Sequence, residues 1–323
     1  MVTISQPGSY YLAHNLTVST GDGIDINTNG VTLDLNGFTI ASTAPSAAGY
    51  GILLNSSLSD ITIVNGHICS GATNGGGFYS GSGFGYGIYG ASANVVVSKV
   101  SVAGVLWNGI YLNTGNATVV ETCTVTTAGY IGIAASTVTD SVATDCGNTA
   151  ISAIQVAYCK GSSYASGGQG ITAYIALNCC GQSTSGYGLS AYTALNCYGY
   201  SSSGWGLSAQ TAENCYGHTT SGVYGLATYG TALNCHGDNS SGTGLYAYTA
   251  QNCDGSSSTS YGISAYTAQN CRGYSSSGTG LYAKVANTCV GERAGGTAIQ
   301  ATIGIGCYAQ SGTNNITYKY NMP

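Results

Sequence analysis

The chain has 323 residues, and only 5% of them are charged, against about 25% in an average globular protein. Its six Lys and Arg are too few for a phosphate-neutralising stripe, which argues against nucleic acid as a partner. A net charge of −5 with a mean hydropathy of +0.13 excludes the highly charged, weakly hydrophobic composition of a disordered chain. There is no run of 18 apolar residues, so the sequence predicts no membrane-spanning helix.

Residues 1–158 alternate apolar and polar side chains in short segments, which predicts β-strands. Examples are PGSYYLAHNLTV, GIDINTNGVTLDLNGFTI, GILLNSSLSDITIVNGHI and NGIYLNTGNATVV. The spacing predicts irregular turns of about 20 to 25 residues, longer than those that follow. Residues 1–20 lack the charged start and apolar stretch of a signal peptide.

A glycine-rich insertion occupies residues 70–90. We expect its aromatic side chains to serve as ligand or interface residues, namely Phe78, Tyr79, Phe84 and Tyr86.

Residues 159–308 repeat with a period of 18 to 20 residues. The segments GQSTSGYGLSAYTALNCY (181–198) and GYSSSGWGLSAQTAENCY (199–216) match position by position. Helix-pair repeats need roughly 33 to 47 residues, so this period predicts one solenoid turn of three short strands. Equivalent residues of successive turns should then stack about 4.8 Å apart in columns.

Several columns are expected to point inward. The first column consists of Leu or Ile residues, such as Leu189, Leu207 and Leu226. The second consists of Ala residues that follow the first column by two positions. We also expect an inward column of Asn, hydrogen-bonded along the stack, followed by an inward column of mostly reduced Cys. These ladders consist of Asn178, Asn196, Asn214, Asn234, Asn252 and Asn270, and of Cys179, Cys197, Cys215, Cys235, Cys253, Cys271 and Cys289.

Residues 309–323 predict a terminal strand, and no linker interrupts the chain, so the sequence predicts a single β-solenoid domain over residues 1–323. The opening PGSYYLAHNLTV…GVTLDLNGFTI and the ending NNITYKYNMP resemble bacterial right-handed parallel β-helix repeat proteins of the pectin-lyase-like superfamily. The resemblance implies an all-β, single-stranded right-handed parallel β-helix. It implies no single function, because that fold carries lyases, hydrolases, adhesins and structural rods.

One cluster of titratable residues has weak catalytic potential. His218, His236, Asp238, Asp254 and Arg272 should face outward on neighbouring turns, where they could do acid–base work or hold a metal. The more ordinary interpretation is a solvated, variable surface, and we therefore predict no metal site and no cofactor.

Two aromatic columns offer a second candidate surface, for stacking on sugar rings or packing against a neighbouring rod. Ordinary cross-strand packing explains them equally well. The columns contain Tyr187, Trp205, Tyr224 and Tyr261, and Tyr192, Tyr248 and Tyr266.

Three functions remain open from the sequence. The leading expectation is a non-enzymatic, extracellular or cell-surface structural solenoid that assembles head-to-tail or laterally with itself into a filament, because open ends and low charge favour stacking. The second is a glycan-binding surface protein that uses the aromatic columns and the 70–90 insertion. The third is a polysaccharide lyase or glycoside hydrolase with an unrecognised site.

Overall fold

The computed structural model describes residues 1–322, apart from the side chain of Ala294. All 34 assigned elements are β-strands, and the described chain has no helix long and apolar enough to cross a membrane. The chain divides into two compact units, Met1–Tyr174 and the residues from Ile175 on, each of which is described by itself. The single domain stays a prediction, and Pro323, the last residue of the predicted terminal strand, lies outside the described residues.

Unit 1 is a parallel β-solenoid whose strands pair with their equivalents one turn later. A column of Ile side chains, among them Ile24, Ile52, Ile88 and Ile110, stacks in register and is fully buried. Its strands are β1 (Val2–Ile4), β2 (Gly8–Tyr11), β3 (Leu16–Val18), β4 (Ile24–Ile26), β5 (Val31–Asp34), β6 (Thr39–Ser42), β7 (Tyr50–Leu54), β8 (Ser59–Cys69), β9 (Gly71–Asn74), β10 (Tyr79–Ser82), β11 (Tyr86–Gly90), β12 (Ala93–Val105), β13 (Ile110–Leu112), β14 (Val119–Glu121), β15 (Thr124–Ala128), β16 (Ile133–Thr139), β17 (Val142–Cys146), β18 (Thr149–Ala157) and β19 (Lys160–Ser163); β20 (Gln169–Leu177) contains the boundary.

The insertion forms an antiparallel hairpin of β9 and β10, which lengthens the turn between Ile52 and Ile88 beyond the expected range. Asp145 holds the hairpin in place. Its Oδ1 accepts hydrogen bonds from the Tyr79 hydroxyl at 3.1 Å and from Asn74 Nδ2 at 2.5 Å, and its Oδ2 accepts one from Thr127 Oγ1 at 2.7 Å. Burial and the neighbouring carboxylate raise the pKa of Tyr79, which keeps its hydroxyl a donor.

Unit 2 is a parallel β-solenoid with turns of mostly 18 residues. Each turn has three paired segments, as expected. Leu245–Ala247 pairs with Ile263–Ala265, the pairing omits Tyr248 and Tyr266 and resumes in the same register at Thr249, and the third segment is β29 paired with β31. Its strands are β21 (Cys180–Ser183), β22 (Leu189–Leu195), β23 (Tyr198–Ser201), β24 (Leu207–Glu213), β25 (Tyr216–Thr219), β26 (Tyr224–Leu233), β27 (His236–Asn239), β28 (Thr243–Gln251), β29 (Asp254–Ser257), β30 (Ile263–Gln269), β31 (Arg272–Ser275), β32 (Leu281–Asn287), β33 (Val290–Ile305) and β34 (Tyr308–Tyr320).

The interior of unit 2 is thin. Its Leu and Ile column, including Leu207, Leu226 and Leu245, is fully buried. Opposite it, glycines allow two segments of one turn to approach closely, because a Cβ on Gly237 would lie 2.3 Å from the Gly244 carbonyl oxygen. The repeated glycines therefore set the thickness of this solenoid.

The Asn column lies at a corner of each turn and is exposed, so the expected inward orientation was wrong. These residues adopt positive φ, such as 53° at Asn252, which turns the chain between two segments and directs the side chain outward. Asn252 Nδ2 donates to Asn234 Oδ1 at 3.2 Å and Asn270 Nδ2 to Asn252 Oδ1 at 3.3 Å, so the stack still forms a hydrogen-bonded ladder.

The Cys column directly after the Asn corner is buried. The Cys253 thiol donates to the Gln251 carbonyl at 3.2 Å in its own turn and approaches the Ala232 carbonyl of the preceding turn at 3.3 Å. Cys215, Cys235, Cys271 and Cys289 make the equivalent contacts. These thiols therefore act as small buried side chains that also satisfy backbone carbonyls at the corner.

Candidate functional site

Unit 2 has an open groove of about 630 Å³. It crosses β28, β30, β32, β33 and β34, which pair with one another in successive turns, so its length follows the stacking direction of the turns. Its lining consists of Tyr246, Ala247, Tyr248, Ser264, Ala265, Tyr266, Tyr282, Ala283, Lys284, Gln300, Ala301, Thr302, Asn315 and Thr317.

The repeat explains the shape of the groove. On one side, Tyr246, Ser264, Tyr282 and Gln300 occupy the same position of successive turns. On the other side, Tyr248, Tyr266 and Lys284 occupy equivalent positions of the same turns, where the strand pairing is interrupted. Between them lies the column of buried Ala residues, including Ala265 and Ala283, and this segment of the strands forms the floor. Small residues between two outward-facing walls produce a continuous concave surface.

The wall formed by Tyr248, Tyr266 and Lys284 consists of two stacked rings followed by a lysine. The rings of Tyr248 and Tyr266 are parallel within 4°, with centroids 4.9 Å apart. Lys284 Nζ lies 4.8 Å from the Tyr266 ring centroid and donates to the Tyr266 hydroxyl at 3.0 Å. This hydrogen bond raises the pKa of Lys284, so the groove holds a positive charge at neutral pH.

The opposite wall contains two tyrosines that are each supported by a second ring. Tyr246 packs against Tyr224 with ring centroids 5.1 Å apart, and Tyr282 packs against Tyr261 at 5.3 Å. Tyr224 and Tyr261 were predicted from the sequence, and they contribute to the site through these contacts.

The predicted aromatic residues do not form one surface. Tyr248 and Tyr266 line the groove, whereas Tyr187, Trp205 and Tyr192 are not among its lining residues. Trp205 lies edge-on between Tyr187 and Tyr224, with centroid distances of 5.3 and 4.9 Å, so its ring takes part in ladder packing.

The aromatic residues of the insertion belong to unit 1. Phe78, at the hairpin tip, is 83% exposed, and Tyr86 packs against Tyr50 with centroids 4.9 Å apart. Phe84 is 0% exposed, so its predicted role in ligand or interface contacts was wrong. The backbone amide of Phe84 donates to Ser70 Oγ at 2.5 Å where the hairpin rejoins the solenoid, and its side chain enters the core there.

The predicted titratable cluster lies on the third segment of the turns. His236, Asp254 and Arg272 occupy equivalent positions of consecutive turns and line a shallow recess of about 370 Å³. His218 Nδ1 lies 2.8 Å from Asp238 Oδ2, and Ser256 Oγ donates to Asp238 Oδ1 at 2.5 Å.

Arg272 forms an ion pair with Glu292, a residue outside the predicted cluster, and its Nη2 donates to Glu292 Oε2 at 2.8 Å. This ion pair raises the pKa of Arg272. Among residues 1–322, no group of three or more His, Cys, Asp or Glu side chains converges for a metal ion. The predicted cluster therefore contributes to two separate side-chain pairs, His218 with Asp238 and Arg272 with Glu292.

The lining residues of the groove that the sequence analysis missed include Tyr246, Tyr282, Lys284 and Gln300. The signal that could have found them is the register, since they stand one residue after, or three after, the Leu/Ile column in consecutive turns. Comparisons with protein-family models, curated proteins and solved structures give no significant match for this chain.

Proposed function

We propose that this protein is a non-catalytic glycan-binding β-solenoid whose binding site is the groove of unit 2. The observation that carries the proposal is the composition of the groove wall. Four tyrosines, two carboxamides, three hydroxyl side chains and one lysine surround a small-residue floor. Aromatic rings pack against the C–H faces of sugars, and carboxamides and hydroxyls donate to and accept from sugar hydroxyls.

The groove also lacks the groups for glycoside hydrolysis. None of its fourteen lining residues is a carboxylate, whereas hydrolysis ordinarily needs two carboxyl groups flanking one bond. An open, shallow shape exposes a bound sugar to water on one side and suits recognition of a polymer that extends beyond the site.

The proposal places the protein outside the cell or at the cell surface, where extended polysaccharides are available. It also keeps the expected relationship to right-handed β-helices of the pectin-lyase-like superfamily, supported by the likeness of the opening and closing segments. The filament-forming structural role is the second candidate, and the low charge supports it by removing repulsion between copies.

The test is a glycan array probed with the full chain, followed by chromatography of every bound polysaccharide after prolonged incubation. We expect retention of at least one polysaccharide and no shorter products. Products that disappear in Asp238→Asn or His236→Ala would show an enzyme acting through the titratable cluster. The absence of any bound glycan would contradict the proposal.

A further inference from the structure

On the wall that contains Tyr246, the aromatic residues alternate with a period of two turns, although the solenoid repeats every turn. Tyr246 and Tyr282 occupy the same register position two turns apart, and Ser264 lies between them. Strand spacing places these two positions about 9.6 Å apart along the groove.

The supporting residues alternate in the opposite phase. Tyr224 and Tyr261 stand two residues before the Leu/Ile column, and the intervening turn has Thr243 there. Each aromatic pair, Tyr224 with Tyr246 and Tyr261 with Tyr282, has nearly the same geometry, with centroids at 5.1 and 5.3 Å and planes tilted by 37° and 42°. The wall therefore presents two equivalent aromatic pairs, with the small hydroxyl residues Thr243 and Ser264 at the alternate positions of the two columns.

A ligand that fits this wall should repeat every two turns. In an extended β-1,4-linked glycan, each sugar is rotated by half a turn relative to the previous one, so equivalent faces recur once per disaccharide. That repeat is about as long as two strand spacings. An α-1,4-linked glucan curves into a helix and cannot keep equivalent faces against a straight row.

The groove has one positive charge along five turns, which does not match a polymer that carries a charge on every sugar and therefore favours a neutral one. Besides the tyrosines, Lys284 is the one ionisable group among the lining residues, and its Nζ already donates a hydrogen bond to the Tyr266 hydroxyl. Gln300 and Asn315 continue the wall as uncharged hydrogen-bonding groups.

Resting on the proposed function, we infer that the ligand is a neutral β-1,4-linked glycan lying along the stacking direction, with one disaccharide for every two turns. The lining spans five consecutive turns, or about 19 Å, which corresponds to about four sugar residues.

The test is calorimetric titration of the full chain with β-1,4-linked oligomers of glucose and of N-acetylglucosamine, two to six residues long, and with α-1,4-linked glucose oligomers. We expect about three- to tenfold tighter binding from disaccharide to tetrasaccharide in at least one β-linked series, and less than twofold beyond it. The series that binds identifies the sugar.

The matched variants are Ser264→Tyr, which fills the space between the two aromatic pairs, and Ser190→Tyr, which makes the same change at the equivalent position of a turn outside the groove. The first should weaken tetrasaccharide binding at least tenfold and the second should leave it unchanged. Equal binding of α- and β-linked oligomers, or an unaffected Ser264→Tyr variant, would overturn this inference and leave the proposed function standing. Failure of every glycan in the array would overturn both.

Discussion

Asn234 Nδ2 donates a hydrogen bond to Asn214 Oδ1 at 3.2 Å, and the two residues share a left-handed backbone, with φ of 52° and 53°. The same side chain therefore serves two purposes at each corner. It tolerates a backbone conformation that most L-residues avoid, and it links one turn to the next through its amide.

Replacing Asn252 separates these two contributions. Asn252→Gly keeps the positive φ and loses both ladder hydrogen bonds, so it should lower the free energy of unfolding by about 0.5–1.5 kcal/mol. Asn252→Ala also loses the conformational tolerance and should cost about 1 kcal/mol more. Urea unfolding followed by circular dichroism measures both, and equal stabilities of the two variants would contradict the role assigned to φ.

The close approach of glycine backbones limits substitution inside the turns. In Gly237→Ala the new Cβ would meet the Gly244 carbonyl oxygen at 2.3 Å and the Leu245 Cβ at 2.8 Å. Because backbone cannot move aside as a flexible side chain does, we expect a loss of about 2–4 kcal/mol in unfolding free energy. The control Ser258→Ala lies at an exposed turn position and should change stability by less than about 0.5 kcal/mol. A Gly237→Ala variant as stable as this control would show that the turn can widen freely.

The buried thiol of Cys123 predicts a loss of stability in alkali. Burial raises the pKa of Cys123 from its ordinary value of 9.0 to about 11. The contribution of this thiol is fully present below pH 9, where both states are protonated, and it is lost as the pH rises through about 11.

Cys123→Ser provides the comparison, because Ser141 already occupies the equivalent position of the next turn. Between pH 8.5 and 11.5 the unfolding free energy of the unchanged protein should fall by about 2–3 kcal/mol more than that of Cys123→Ser. Parallel curves for the two proteins would mean that Cys123 does not titrate differently on folding.

The turn period predicted the fold because every turn repeats the same buried columns, as Leu207, Leu226 and Leu245 show. The inward placement of Asn252 was wrong because alternation along a strand does not hold through a corner with positive φ. Phe84 was misplaced because glycines on both sides of it resemble an exposed loop, and only the hairpin closure shows where its ring goes.

The groove could not be predicted from the sequence, and the reason differs from that for Asn252 and Phe84. The sequence predicts columns one at a time. It does not show that the column of Tyr246 and the column of Tyr248 flank a common floor. Conversely, the tyrosines that looked most repetitive, such as Tyr187, pack against their neighbours in the ladder.

The most direct test of the glycan-binding groove is calorimetric titration of Tyr282→Ala and Tyr308→Ala with the best glycan from the array. Tyr282 lines the groove, and Tyr308 is exposed on β34 outside its lining, so the pair separates this surface from exposed tyrosine in general. We predict at least about tenfold weaker binding for Tyr282→Ala, corresponding to about 1.4 kcal/mol, and unchanged binding for Tyr308→Ala, with both variants unfolding near the midpoint of the unchanged protein. Equal affinities of the two variants would contradict the assignment of the site to this groove.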